Sequence, residues 1–291
     1  MYIPELVCHP QCELAESPVW HQDSGTLYFI DIKKRLLYAQ HMSGILEKWP
    51  LSSETGSIVL NRSGELFAAQ QHHFVSIHLS PFREEVVATT YDEPAHNRFN
   101  DGKCDPQGRF WASTMDDNCK LPTGSIWSLD HQLTVHKHES GFIVGNGFGW
   151  NLDGTRMYFT DSEKRKIYAW EFDGKQGTLG KLSLFATIAA DDGLPDGLCV
   201  DSEDHVWSAH WDGGKISRYH PDGTVERTVS LPVPRPTSLA FGGNNFSTLF
   251  ITTARHQLSE EQLREAPLSG AILSINCEVP GLPSARFGHQ D

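Results

Sequence analysis

Residues 205–220 read HVWSAHWDGGKISRYH. Two short runs rich in aromatic and β-branched residues, HVWSAHW from His205 and KISRYH from Lys215, follow the polar turn Ser202-Glu203-Asp204. Such residues fit a pleated, half-buried surface and the turn residues suit tight connections, so the segment reads as paired strands. The arrangement recurs along the chain. Leading runs begin at Thr26 (TLYFID), Glu65 (ELFAAQ), Arg109 (RFWASTM), Thr155 (TRMYFTDS), His205 and Thr248 (TLFITTAR). Partner runs follow at Leu36 (LLYAQ), Phe74 (FVSIHL), Ser125 (SIWSLD), Lys166 (KIYAWEFD), Lys215 and Ala271 (AILSIN).

A repeat of about 40–50 residues suits a four-stranded propeller blade and is too long for ankyrin, tetratricopeptide or leucine-rich units. Six repeats in 291 residues predict an all-β chain, a six-bladed β-propeller forming one domain over residues 1–291. The opening run, residues 6–13, is expected to pair with the chain's end and close the ring, which leaves only short sheet edges. Helical periodicity is confined to residues 259–265 (SEEQLRE), expected as a short surface helix or polar loop.

Composition narrows the function classes. At 38% hydrophobic and 21% charged, the chain can bury a sizeable core. A net charge of −13 argues against nucleic acid or an anionic membrane as partner and favours a neutral small molecule or a cation. No basic stretch precedes an apolar one at the start, and no run of about 18 apolar residues occurs. The six cysteines form no Cys-x-x-Cys pair and read as free thiols in a reducing compartment, so a cytoplasmic location is expected.

In a propeller the innermost strands line a channel, and residues far apart in sequence converge at its mouth. Four segments carry a carboxylate or amide beside glycine or proline: residues 15–20 (AESPVW), 97–103 (NRFNDGK), 145–150 (GNGFGW) and 194–200 (LPDGLCV). They read as loops entering inner strands, with glycine admitting close backbone approach to a ligand and proline fixing the turn. Glu16, Asn100, Asn146 and Asp196 then form an oxygen-only set, suited to calcium, magnesium or manganese and able to accept iron or zinc. Taken singly, Asn-Gly and Asp-Gly pairs are ordinary turn residues. Asp101, Asp153, Asp161, Asp201 and Asp222 read as turn or blade residues. His72, His73, His136 and His138 read as surface residues, while His210 and Trp211 are candidates to reach the channel.

At these same segments the chain resembles a known family. ESPVW, NRFNDGKCDPQGRFWASTM, GNGFGW, LPDGLCVD, GGKISRYHPDG and FGGNN occur in the order found in the family of regucalcin (senescence marker protein), gluconolactonases and the luciferin-regenerating enzyme. The resemblance implies a metal held by a glutamate, an asparagine and an aspartate on separate blades, which fall on Glu16, Asn146 and Asp196. The family's substrate-contacting arginine and asparagine fall on Arg98 and Asn100. Residues 115–123 (MDDNCKLPT) fall in a loop that varies among members and contacts the sugar or covers the site; no role passes to Asp116 or Asp117.

The implied activity is metal-dependent hydrolysis of a sugar (aldono-)lactone to the aldonic acid, gluconolactonase-like, with one divalent ion: zinc, calcium, manganese, magnesium or iron(II). Asp196 is the expected catalytic general base. The implied partner is a small-molecule sugar lactone, and the chain is expected as a monomer or homodimer. Two other readings stay open: a broader esterase or organophosphate hydrolase, and a non-catalytic calcium-binding regulator.

Overall fold

The computed structural model describes residues 2–288; Met1 and residues 289–291 lie outside the described residues. Each repeat folds into a four-stranded antiparallel sheet, giving the six blades of a β-propeller. In blades 1 to 5 the strands follow chain order. Blade 6 takes its outermost strand, Glu5–Cys8, from the start of the chain, paired with Ile272–Asn276 in the register Glu5↔Ser274. Ring closure is thus the expected pairing, over a shorter run than residues 6–13. Pro10 lacks the N–H a ladder needs, and the Glu13 and Leu14 amides instead donate to the Asp31 carboxylate at 2.8 and 3.2 Å.

The innermost strands are Ala15–His21, Thr55–Leu60, Asn97–Cys104, Gly145–Trp150, Leu194–Val200 and Pro236–Gly242. Each touches the next, and the last packs back on the first. The runs singled out in the sequence as leading strands are therefore the second strands of their blades, and the four polar segments are channel strands themselves rather than loops ahead of them. Their residues face polar channel or neighbouring blade on both sides, so the alternation that marks a half-buried strand is missing.

The apolar core lies between blades. Trp111, Phe148, Trp150 and Phe159 pack between blades 3 and 4, and Trp207, Leu239, Phe241 and Leu249 between blades 5 and 6. Buried aromatics carry large apolar area, and the indole N–H needs a partner. Asp201 supplies one, accepting from Trp207 Nε1 at 2.9 Å and Arg218 Nε at 2.8 Å; Asp105 does the same for Trp111 at 2.9 Å. Asp153 and Asp222 accept from the backbone two residues on, at Thr155 and Thr224, as turn residues do. The segment around residues 259–265 forms a helix, Glu260–Glu265, with Ser259 and Gln262 in a capping box. No helix among the described residues is long and apolar enough to cross a membrane.

Glycine has a different job from the one expected. A Cβ on Gly197 would lie 2.7 Å from Ser238 Cα of the next inner strand, and one on Gly147 would lie 2.7 Å from the Asp196 carbonyl oxygen. These glycines let adjacent inner strands approach each other, which narrows the channel. Gly197→Ala is expected to destabilise by about 1–3 kcal/mol, the usual cost of overpacking, read as a lower urea midpoint with unchanged slope.

Candidate active site

The leading ends of the inner strands surround a cavity of about 660 Å³. Glu16 reaches it from blade 1, Arg98 and Asn100 from blade 3, Asn146 from blade 4 and Asp196 from blade 5. The five residues expected to hold the ion or the substrate are therefore brought to one place, although the innermost strands of blades 2 and 6 supply none of them.

Glu16 and Asp196 are 5% and 6% exposed. Burial pushes the Glu16 carboxyl well above its ordinary range, repulsion from Asp196 and Asp101 adds to this, and the Ser17 amide and Arg98 oppose it. Asp196 is likewise pushed well up, first by burial and then by Asp101. Two carboxylates held this way lack the counter-charge that buried acids normally require. The Asn146 side chain donates from Nδ2 to Ser162 Oγ at 3.2 Å, while its Oδ1 is buried without a hydrogen-bond partner among the described residues.

A divalent cation would satisfy all three. Among the described residues no three His, Cys, Asp or Glu side chains gather as a metal-holding group, so an ion here needs the amide oxygen as third protein ligand. Two carboxylates and one amide oxygen fit a hard or borderline divalent ion.

Arg98 and Asn100 are tightly placed. Arg98 donates from Nη1 to the Phe99 carbonyl at 3.0 Å and to Asn100 Oδ1 at 3.1 Å, and Asn100 Nδ2 donates to the Gly145 carbonyl at 3.1 Å. Arg98 Nε meets Asp117 Oδ1 at 2.7 Å and Glu54 Oε2 at 3.2 Å, and Lys33 Nζ bridges Glu54 and Asp117. The two acids of the 115–123 loop thereby separate. Asp117 lines the cavity. Asp116 turns inward and accepts from the amides of Asn118, Lys120 and Leu121, which shapes the loop and holds its carboxyl down at about 2 against the opposing effect of burial.

Lys33 and His256 also line the cavity and escaped the sequence reading, because neither lies in a segment of unusual composition. Trp211 lines it as well, its indole stacked under Arg235 at 4.7 Å. His210 does not. It is 1% exposed, paired through Nδ1 with the Asp192 carbonyl at 2.9 Å, and burial lowers its pKa to about 4. Strand alternation turns His210 and Trp211 to opposite faces, so only one of them can face the channel mouth. His138 is half-buried rather than superficial, stacked on Trp111 with ring centroids 4.1 Å apart. His72 is likewise half-buried, its Nε2 lying 2.6 Å from the Asn97 carbonyl oxygen. Asp101 is a blade residue and not a turn residue: it is 4% exposed, inside an inner strand, and bonded to the site's backbone. A second cavity, about 490 Å³ at the opposite channel mouth, includes Arg62, Lys103 and Arg286 but no carboxylate in its wall, so it offers no cation site.

The model of the SMP-30/gluconolactonase/LRE-like region matches residues 14–255, and the chain belongs to that family. Regucalcin from Xenopus laevis is 32% identical over 291 residues, spanning 97% of this chain and 97% of its own length. Among solved structures, a calcium-binding protein, regucalcin, from Agrobacterium tumefaciens superposes with a TM-score of 0.94 at 25% identity, covering 98% of this chain and 97% of that one. A gluconolactonase from Xanthomonas campestris shares the fold at a TM-score of 0.78 and 17% identity, covering 96% and 90%.

Proposed function

We propose that the chain is a divalent-metal-dependent lactonase that opens a sugar (aldono-)lactone to its aldonic acid. The observation that carries this reading is the convergence of Glu16, Asp196 and the unpartnered Asn146 Oδ1 on a cavity that also presents Arg98 and Asn100. Family membership supports sugar-lactone hydrolysis as the chemistry. Glu16, Asn146 and Asp196 would hold the ion. When bound, a divalent ion supplies Lewis acidity toward the ester carbonyl and lowers the pKa of water.

Asp196 accepts the proton of the attacking water as its oxygen adds to the lactone carbonyl carbon. The ring C–O bond then breaks, the departing oxygen takes the proton back from Asp196, and the new carboxylic acid releases its own proton to solvent, leaving the carboxylate and a free hydroxyl. Arg98 and Asn100, locked by each other and by backbone carbonyls, orient the sugar, a positioning role that lowers the barrier. Leu14, Met115 and Trp211 give the cavity apolar walls.

Asp117 is half-exposed at the cavity and anchors Arg98. Asp117→Ala is expected to raise KM for the lactone about tenfold, the scale of a lost charged hydrogen bond, with kcat within about threefold of the parent. Steady-state kinetics on one substrate series checks this.

The Agrobacterium tumefaciens relative is named a calcium-binding protein, which supports calcium as an ion for this site; a second reading is a binder of that ion that does not turn over a substrate. The Arg98–Asn100 pair supports the enzyme, because an ion binder needs no such donors beside its ligands. A direct test compares aldonolactones with aryl esters and phosphotriesters under one metal condition. Faster turnover of an aldonolactone supports the lactonase; faster turnover of the other esters replaces it with the broader hydrolase.

A further inference from the structure

Asp101 lies one residue past Asn100 on the innermost strand of blade 3, and the lactonase mechanism gives it nothing to do. Its surroundings are specific. It is 4% exposed. Oδ1 accepts from the Gly102 amide at 2.7 Å, and Oδ2 reaches across to blade 4 and accepts from the Gly147 amide at 2.9 Å. Gly147 follows Asn146 directly and adopts φ +46°, a conformation that side-chain-bearing residues rarely take. The strand pairing shifts register at this point, between Asn146 and Phe148. On its other side, Gly147 abuts the backbone carbonyl of Asp196, where an added Cβ would lie at 2.7 Å.

We infer that Asp101 is a positioning residue for the ion site, a buried carboxylate clamp that fixes the Asn146–Gly147 corner so that Asn146 Oδ1 faces Glu16 and Asp196. The inference rests on the reading of Glu16, Asn146 and Asp196 as the ion-holding set. Both Asp101 oxygens accept from backbone N–H groups, and Lys103 supplies compensating charge. Only a carboxylate of this length can serve both amides: asparagine would turn an NH₂ group toward one of them. The bulge then springs from one blade, is tied by a second and rests on a third, so the geometry of the amide ligand depends on contacts outside the site. Residues that orient metal ligands in this way typically govern affinity by about 10–100-fold.

The test titrates chelator-stripped protein with manganese alone, following free ion by electron paramagnetic resonance, so that no substrate is involved. Asp101→Asn is expected to weaken manganese binding about tenfold or more while the metal-free protein keeps its native circular dichroism. Gly147→Ala retains every charge but forces the corner to move, and it too is expected to weaken binding. If both act through one corner, the double variant loses clearly less than the product of the single losses. Wild-type affinity in Asp101→Asn overturns the clamp, and so do fully multiplicative losses, which would mean that Asp101 acts only as a nearby negative charge. If Asp101→Asn fails to fold, amide exchange in the metal-free parent decides: strong protection of the Gly147 amide supports the clamp, and exchange there as fast as in an open loop overturns it. Manganese binding by the parent without any lactone hydrolysis would remove the lactonase reading and leave the clamp standing.

Discussion

Asp196→Asn is expected to cut kcat/KM for the aldonolactone by about 10³-fold or more, the upper range for losing a positioned general base. Asparagine preserves the volume and one coordinating oxygen but removes the proton acceptor and one of two anionic ligands. The two roles separate in the metal dependence. If Asp196 only held the ion, saturating metal would restore kcat and leave a raised metal requirement. If it is also the base, kcat stays low at saturation. Recovery of near-parent kcat at high metal would falsify the base assignment and leave Asp196 as a ligand.

The second large effect concerns pH and the ion together. Glu16 and Asp196 have folded pKa values above their ordinary 4.5 and 3.8. A carboxylate raised in this way contributes stability that is complete below its ordinary value and is lost as pH rises through the folded value, because the folded state binds more protons in that window. Asp116 and Glu226 are held at about 2 and work the other way, contributing above their ordinary values and failing only as pH falls toward 2. His138 and His210, held at about 4 by burial, add stability as pH rises toward their ordinary 6.5 and offset this loss, so the metal-free protein should weaken as pH rises from there toward about 8. Adding ion should reverse the trend, since the carboxylates must be deprotonated to bind and binding stabilises only the folded state. Glu16→Gln removes one buried charge: its metal-free Tm at pH 8 is expected to rise by about 3 °C, roughly what 1 kcal/mol gives in a chain of this size, while the ion-induced rise in Tm disappears. Scanning calorimetry between pH 5 and 8, with chelator and with ion, reads both effects. A Glu16→Gln protein less stable than its parent without metal would contradict the picture of uncompensated buried charge.

The architecture was legible because the second strands, such as TLYFID and HVWSAHW, pack aromatics between blades and carry a strong local signal. The outer strands were not. Leu46–Pro50 and Val225–Ser230 are mostly exposed and carry little apolar signal, since a sheet edge facing water needs no apolar pattern. The inner strands were noticed for their chemistry and misplaced as loops, because close packing of neighbouring backbones selects Gly102, Gly147 and Gly197 where a simple strand would carry larger residues. Glu16, Asn100, Asn146 and Asp196 could be picked out by local composition, whereas Arg98 came only from the family resemblance. Asp117 could not be told from Asp116, since adjacent acids differ only in which one the loop's own amides consume. Asp101 reads from sequence as a turn or blade residue, and its bond to Gly147, 46 positions away, exists only in the fold.

The most direct measurement is acid release from a panel of aldonolactones by chelator-stripped protein, corrected for spontaneous hydrolysis, with zinc, manganese, magnesium, calcium or iron(II) restored one at a time. The account predicts that at least one ion returns turnover of at least one lactone, and that Asp196→Asn stays inactive under the same condition. Hydrolysis no faster than the spontaneous rate with every ion, in protein whose Tm the ion demonstrably raises, would contradict it.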